Sequence, residues 1–262
     1  MMYKGDNGGL FPPAYYYIND SGSSDGYMHW SGLIRSYVDS NSVYVCTSMT
    51  NRGWAPTNFG GAGATTGENY WGDKVVAPEN QTSDKAAKDR QAPRMSYTCN
   101  ELIMPRKKTS SLTHLKLVKD SELKAPSSEI LMAEYTDDVK RLMGTSPGGG
   151  LAIKSHRPTA GIGDGAAGTA YNGEDGLSGD PVVTTVAEAE ADAASPTTDS
   201  LHLVYVQWDR HSNRGNYIFA DGHASPHTLK ETLDPKRFLW GQRVYSETTK
   251  PAVKDSDGNE VQ

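Results

Sequence analysis

The sequence predicts an α+β chain in which short strands and turns outweigh helix. Three observations carry this expectation. "PSSEILMAEYT" (126–136) holds an unbroken apolar run from Ile130 to Ala133, the pattern of a strand buried on both faces in the middle of a sheet. "NYIFADGHASPHTL" (216–229) sets Asp-Gly between two strand-like runs, a hairpin signal. "HWSGLIRSYV" (29–38) places Trp30, Leu33, Ile34 and Val38 near helical spacing, which predicts a short amphipathic helix. The 27 Gly, with 14 Tyr and 5 Trp against 4 Phe, suit a turn-rich chain whose aromatic rings keep a polar edge toward water.

A length of 262 residues is enough for a core that needs no crosslinks, so stability need not rest on metal or disulfides. The net charge of −6 gives no basic footprint for nucleic acid and disfavours an anionic membrane surface. No run approaches the ~20 apolar residues of a bilayer-spanning helix, and no signal-peptide pattern is present. Cys46 and Cys99 are too few to define a disulfide framework. In an oxidising compartment they could pair, contributing roughly 4 kcal/mol by closing the loop between them. Two separate buried thiols is the other reading.

Along the chain, "MMYKGDNGGLFPP" (1–13) reads as the exit from an N-terminal element into a loop. "SVYVCTS" (42–48) has the alternation of a strand, and "MSYTCNEL" (95–102) repeats that character. Residues 51–94 read as a surface excursion carrying Trp54, Tyr70 and Trp71. Residues 159–200, with "GIGDGAAG", "NGEDGLSGD" and "AEAEADAA", read as a long Gly/Ala/acidic loop insertion without regular structure, inside a single domain spanning 1–262. "LHLVYVQWDR" (201–210) reads as a strand beside the hairpin.

At Asp221-Gly222 a type I′ turn is expected, both central residues taking positive φ and pairing Ala220 with His223, Ile218 with Ser225 and Asn216 with His227. His211 meets Asp221 only if the chain folds back at "SNRG". A metal reading would take His211, Asp221, His223 and His227 as ligands for zinc or another first-row ion. Oxygen-rich "NDSGSSDG" (19–26), "NGEDGLSGD" (172–180) and "DSDGNE" (255–260) offer calcium sites, none with the full EF-hand loop, and the last reads most simply as a hairpin turn. Glu129, Glu134, Asp137 and Asp138 could be cast as paired glycosidase carboxylates, against the plainer reading of a strand's solvent exit. No nucleophile elbow, P-loop or dinucleotide fingerprint occurs.

The spacing from His211 to Asp221-Gly222 resembles the His-x(9)-Asp-Gly motif of the bacterial prepilin-type, processing-associated family, relatives of the type II secretion pseudopilins. The resemblance extends in order along the chain. "MMYKGDNGGLFPP" is similar to the segment after that family's long N-terminal helix, "VYVCTS" to its F-x-C-P-S, "SYTCN" to its S-Y-x-x-N and "PSSEILMAEYT" to its P-S-x-T-I-L-L-A-D. Thr47 departs from the family's Pro, and 159–200 looks like a local insertion.

The resemblance implies a pilin-like fold: an N-terminal helix, cut here to its last residues, on an antiparallel sheet with long loops and a β-rich C-terminal part. It implies a secretion-associated, non-catalytic filament subunit of the bacterial cell envelope, periplasmic or extracellular. Its partners would be other pilin-like subunits, with membrane attachment only through the helix and no nucleic acid. The resemblance also slightly favours calcium as a cofactor. A second reading is a carbohydrate- or polymer-binding module using Trp54, Tyr70, Trp71 and "PPAYYY" (12–17) as an aromatic platform. A third is a metal-dependent enzyme built on His211, Asp221 and His223.

Overall fold

A computed structural model describes residues 2–17, 27–54, 58–59, 92, 94–145, 151–153, 156–165, 168–197 and 199–262. Helix α1 (Met2–Asp6) opens the chain and ends where Gly8 and Gly9 take positive φ (62° and 82°). Gly9 N–H bonds back to the Lys4 carbonyl at 2.8 Å, so "GDNGG" is a helix C-terminal stop. A hairpin of β1 (Tyr15–Tyr17) and β2 (Tyr27–His29) leads into α2 (Trp30–Leu33), capped by the His29 side chain, and a 3₁₀ turn over Arg35–Tyr37. The helix expected over 29–38 is therefore broken into two short turns at Ile34.

The organising element is an antiparallel sheet in the order β11-β10-β5-β4, from β4 (Tyr97–Cys99), β5 (Ile130–Glu134), β10 (Gly215–Phe219) and β11 (Ala224–His227). The apolar run of β5 lies centrally, as expected. A register shift against β10 puts Ile130 and Ala133 in one core cluster and Leu131 and Met132 against the other. One side packs on Phe219, Tyr217, Leu233 and Trp240, the other on Phe11, Trp30, Ile103 and Met104. α1 lies on this second side, with Lys4 Nζ 3.5 Å from the Ala220 carbonyl and 4.6 Å above the Phe11 ring.

Asn100, one residue past β4, ties the layers together. Its amide nitrogen donates to the Ile130 and Trp240 carbonyls, both at 2.7 Å, and its oxygen accepts from Leu102 N–H at 3.0 Å. Smaller sheets flank this frame: β3 (Asn58–Phe59) with β7 (Leu151–Ile153) and β6 (Met143–Thr145), which follows α3 (Val139–Leu142), and the pair β8 (Ile162–Asp164) and β9 (Pro181–Val183). After β11, α5 (Leu229–Thr232) carries a Thr228/Glu231 capping box, and the C-terminal segment returns through isolated bridges rather than strands, burying Val244, Val253 and Val261. No helix among the described residues is long and apolar enough to cross a membrane.

Three expectations fail on local grounds. The strand expected over 42–48 is replaced by a 3₁₀ turn (Asn41–Tyr44) and a further turn at 47–48, the Ser40 hydroxyl taking the Ser42 N–H at the start. Residues 202–205 form another, its apolar run buried as a plug beside the end of β5 with a lone bridge from Val206 to Tyr135. Periodicity cannot separate such a run from a strand. The described residues of 159–200 hold regular structure: β8 and β9 pair, and α4 (Val186–Ala194) starts at a Thr185/Glu188 capping box and buries Ala189 and Ala193, four apart on one face.

Trp54 is 1% exposed and donates its indole N–H to the Thr136 carbonyl at 2.8 Å, so it is a core residue rather than part of a surface platform. Tyr15 is also buried. Tyr70 and Trp71, like "NDSGSSDG", lie outside the described residues.

Candidate functional site

The chain does fold back at "SNRG". Ser212 and Asn213 both take positive φ (55° and 64°), and His211 and Arg214 exchange backbone hydrogen bonds at 2.8 and 3.2 Å. That is the two-residue, doubly positive turn expected at Asp221-Gly222. At Asp221-Gly222 the loop is one residue longer. Phe219 N–H bonds the His223 carbonyl, only Gly222 has positive φ (98°), and the register pairs Ile218 with Ala224 and Tyr217 with Ser225. The predicted register is thus off by one, which moves each side chain of β11 to the other face.

The fold-back does not bring His211 to Asp221. His211 Nε2 lies 2.9 Å from Glu134 Oε1 at the end of β5 and 3.9 Å from the Cys46 sulfur. Asp221 instead pairs with exposed His223 at 2.7 Å, whose ring stacks on Phe219 with centroids 4.4 Å apart. His227 sits 3.7 Å from Glu231. The ligand set is therefore not brought together: His211 stands in the turn before β10 with Glu134, Asp221 and His223 pair at the hairpin loop, and His227, opposite Gly215, faces Glu231.

Cys46, Glu134 and His211 form the one group among the described residues in which three donor atoms from His, Cys, Asp or Glu lie within 4.8 Å of one another. Each comes from a different part of the frame: Cys46 from the segment after the Asn41–Tyr44 3₁₀ turn, Glu134 from the central strand, His211 from the tight turn. The Glu134 side chain is 1% exposed, not a solvent exit, and His211 is 30% exposed. Glu134 Oε2 accepts the Asn216 N–H at 2.8 Å, which leaves Oε1 facing His211. Arg210, 5% exposed, stands 3.5 Å from the same Oε1, donates to the Tyr135 carbonyl at 2.6 Å and pairs with Asp137. Asp137 also accepts from Thr50 N–H and Oγ at 3.0 and 2.9 Å.

The other proposed carboxylates do not join this group. Glu129 is buried at the far end of β5 against the Tyr245 hydroxyl, and burial pushes its carboxyl up. Exposed Asp138 caps Lys140 N–H at 2.9 Å. Glu129 and Asp138 thus stand apart from Glu134, whereas Asp137 faces the same Arg210 guanidinium as Glu134.

Both cysteines are free, so the Cys46–Cys99 bond is not made. Cys46 is partly buried beside His211, whereas Cys99 is fully buried on β4, where burial pushes its thiol well up. Within "NGEDGLSGD", Ser178 and Gly179 donate to Asp164, and in "DSDGNE" the Asp255 carboxylate is taken by Asp257 and Asn259 N–H. The second of these closes the Lys254–Glu260 bridge, the hairpin turn expected there. Arg210 was not read from the sequence, although it adjoins His211. A charge closing an apolar strand was the only linear sign that Glu134 mattered.

The geometry speaks against a cysteine–histidine–acid relay. Such a relay needs the acid on one imidazole nitrogen and the nucleophile on the other, whereas Cys46 and Glu134 both address Nε2. As a donor set, thiol, imidazole and carboxylate suit a borderline-soft ion. Comparison of the chain with protein-family models, curated proteins and solved structures gives no match.

Proposed function

We propose that the chain is a structural, non-catalytic subunit of a pseudopilus- or pilus-like filament in a bacterial cell envelope, facing the periplasm or exterior, with other pilin-like subunits as partners. One observation carries the reading: a short helix, stopped by Gly8 and Gly9, is laid against one face of a four-stranded antiparallel sheet. Only its Tyr3 and Lys4 are drawn in, while Met2, Gly5 and Asp6 stay exposed, so the helix docks by one side. Between helix and sheet runs an apolar groove lined by Tyr3, Trp30, Ile34, Met132 and Ile218. The ordered motifs that resemble prepilin-type proteins fall on this frame: Asn100 at its junction, Glu134 on its central strand, His211 and Asp221 at either end of β10.

The competing readings lose support. A polymer-binding platform loses Trp54 and Tyr15 to the core. The enzyme built on His211, Asp221 and His223 loses the meeting of its residues. Cross-linking of intact envelopes of the source bacterium, followed by capture with antibodies to this chain, tests the proposal. Adducts with pilin-like subunits are expected. Recovery of the chain as an uncross-linked species outside the envelope would refute it.

A further inference from the structure

We infer that Cys46, Glu134 and His211 form a binding site for a divalent zinc-like ion that clips the loop after the Asn41–Tyr44 3₁₀ turn and the turn before β10 to the central strand. Two of the separations are close to what a tetrahedral ion needs. Bonds of ~2.0–2.3 Å put ligand atoms ~3.3–3.6 Å apart. Nε2 and the sulfur stand at 3.9 Å, and Nε2 and Oε1 at 2.9 Å. Shifts of a few tenths of an ångström, through side-chain torsions, would open one contact and close the other.

Charge points the same way. Arg210 is shared between Asp137 and Glu134 Oε1, so against the three negative charges of Asp137, Glu134 and a Cys46 thiolate it balances one and leaves two for a divalent cation. Binding would take the thiol proton to solvent and form the sulfur–metal bond, with His211 donating its Nε2 lone pair and Glu134 one oxygen. Sulfur among the ligands disfavours calcium and magnesium. Three protein ligands leave a fourth position for water, and the exposed edge of His211 gives the ion its way in. Orientation is already fixed at the carboxylate: Asn216 N–H holds Oε2, so Oε1 is the oxygen presented.

The test uses the tag-free full chain, stripped with chelator and titrated with Co²⁺ and then Zn²⁺. One Co²⁺ per chain is expected, with a near-ultraviolet thiolate-to-metal band and the strong visible bands of a tetrahedral site, displaced by Zn²⁺. Cys46→Ser should abolish the thiolate band, and Cys46→Ser, Glu134→Gln and His211→Gln should each weaken binding by ~100-fold or more. His223→Gln, which removes a member of the rejected ligand set, should change nothing. Should a variant fail to fold, the unmodified chain still decides: Zn²⁺ should slow alkylation of Cys46 by iodoacetamide ~10-fold or more. Absence of the thiolate band at stoichiometric Co²⁺, its persistence in Cys46→Ser, or a Cys46 unprotected by Zn²⁺ would overturn the inference. None of these results bears on the filament proposal, which rests on α1 and the sheet.

Discussion

Replacing Asn100 with Ala should be among the most damaging single changes in the frame. Asn100 is fully buried, and its side chain serves three backbone groups in three places: the Ile130 and Trp240 carbonyls and the Leu102 N–H. Alanine removes all three partners without admitting water. A buried polar group left unpaired costs about 1–3 kcal/mol, and these three share one site, so roughly 3–5 kcal/mol in total is expected rather than the full sum. At this chain length that corresponds to a fall in Tm of roughly 10 °C. Urea unfolding followed by Trp fluorescence reads it directly, because Trp240 is fully buried and is one of the residues released. The midpoint should fall with little change in slope. Asn100→Asp should be at least as harmful, since it turns a donor toward two carbonyls into an acceptor. A loss below about 1 kcal/mol for Asn100→Ala would refute the claim that this amide joins β5 to the C-terminal segment.

Three further outcomes follow from the same structure. The native chain should show one readily modified thiol, Cys46, and a second, Cys99, that reacts only on unfolding; a mass corresponding to an intramolecular disulfide would contradict this. Burial holds His29 neutral, with its pKa pushed down from the usual 6.5 to about 3. A depressed histidine leaves stability intact above pH 6.5 and takes it away as pH falls toward 3, by about 1.4 kcal/mol per unit. The stability gap between the native chain and His29→Asn should therefore narrow between pH 6.5 and 4, and a gap independent of pH would sink the idea. A Cβ at Gly161 would lie 2.4 Å from the Trp240 ring, so Gly161→Ala should cost about 1–3 kcal/mol and shift Trp emission; an unchanged midpoint would show that the ring can move aside.

Much of the central sheet was legible in sequence because its signals are local. The apolar run of β5 marks a strand covered on both sides, and "GDNGG" marks a helix stop. Asp-Gly locates the β10–β11 hairpin, but loop length sets register, and a third loop residue reversed the faces. Where composition is the only signal, tertiary context decides otherwise: Leu201–Val206 is a buried plug, and "AEAEADAA" is a helix whose local mark is the Thr185/Glu188 capping box. The candidate site was out of reach for a different reason. His211 was singled out by its spacing to Asp221, yet its partners lie 165 and 77 residues away, at Cys46 and Glu134, and no linear pattern records that meeting.

Immunogold electron microscopy of the source organism, with antibodies to this chain, tests the central claim most directly. The filament account predicts gold in linear arrays along envelope-attached fibres; label dispersed through the cytoplasm, with none on fibres, would contradict it.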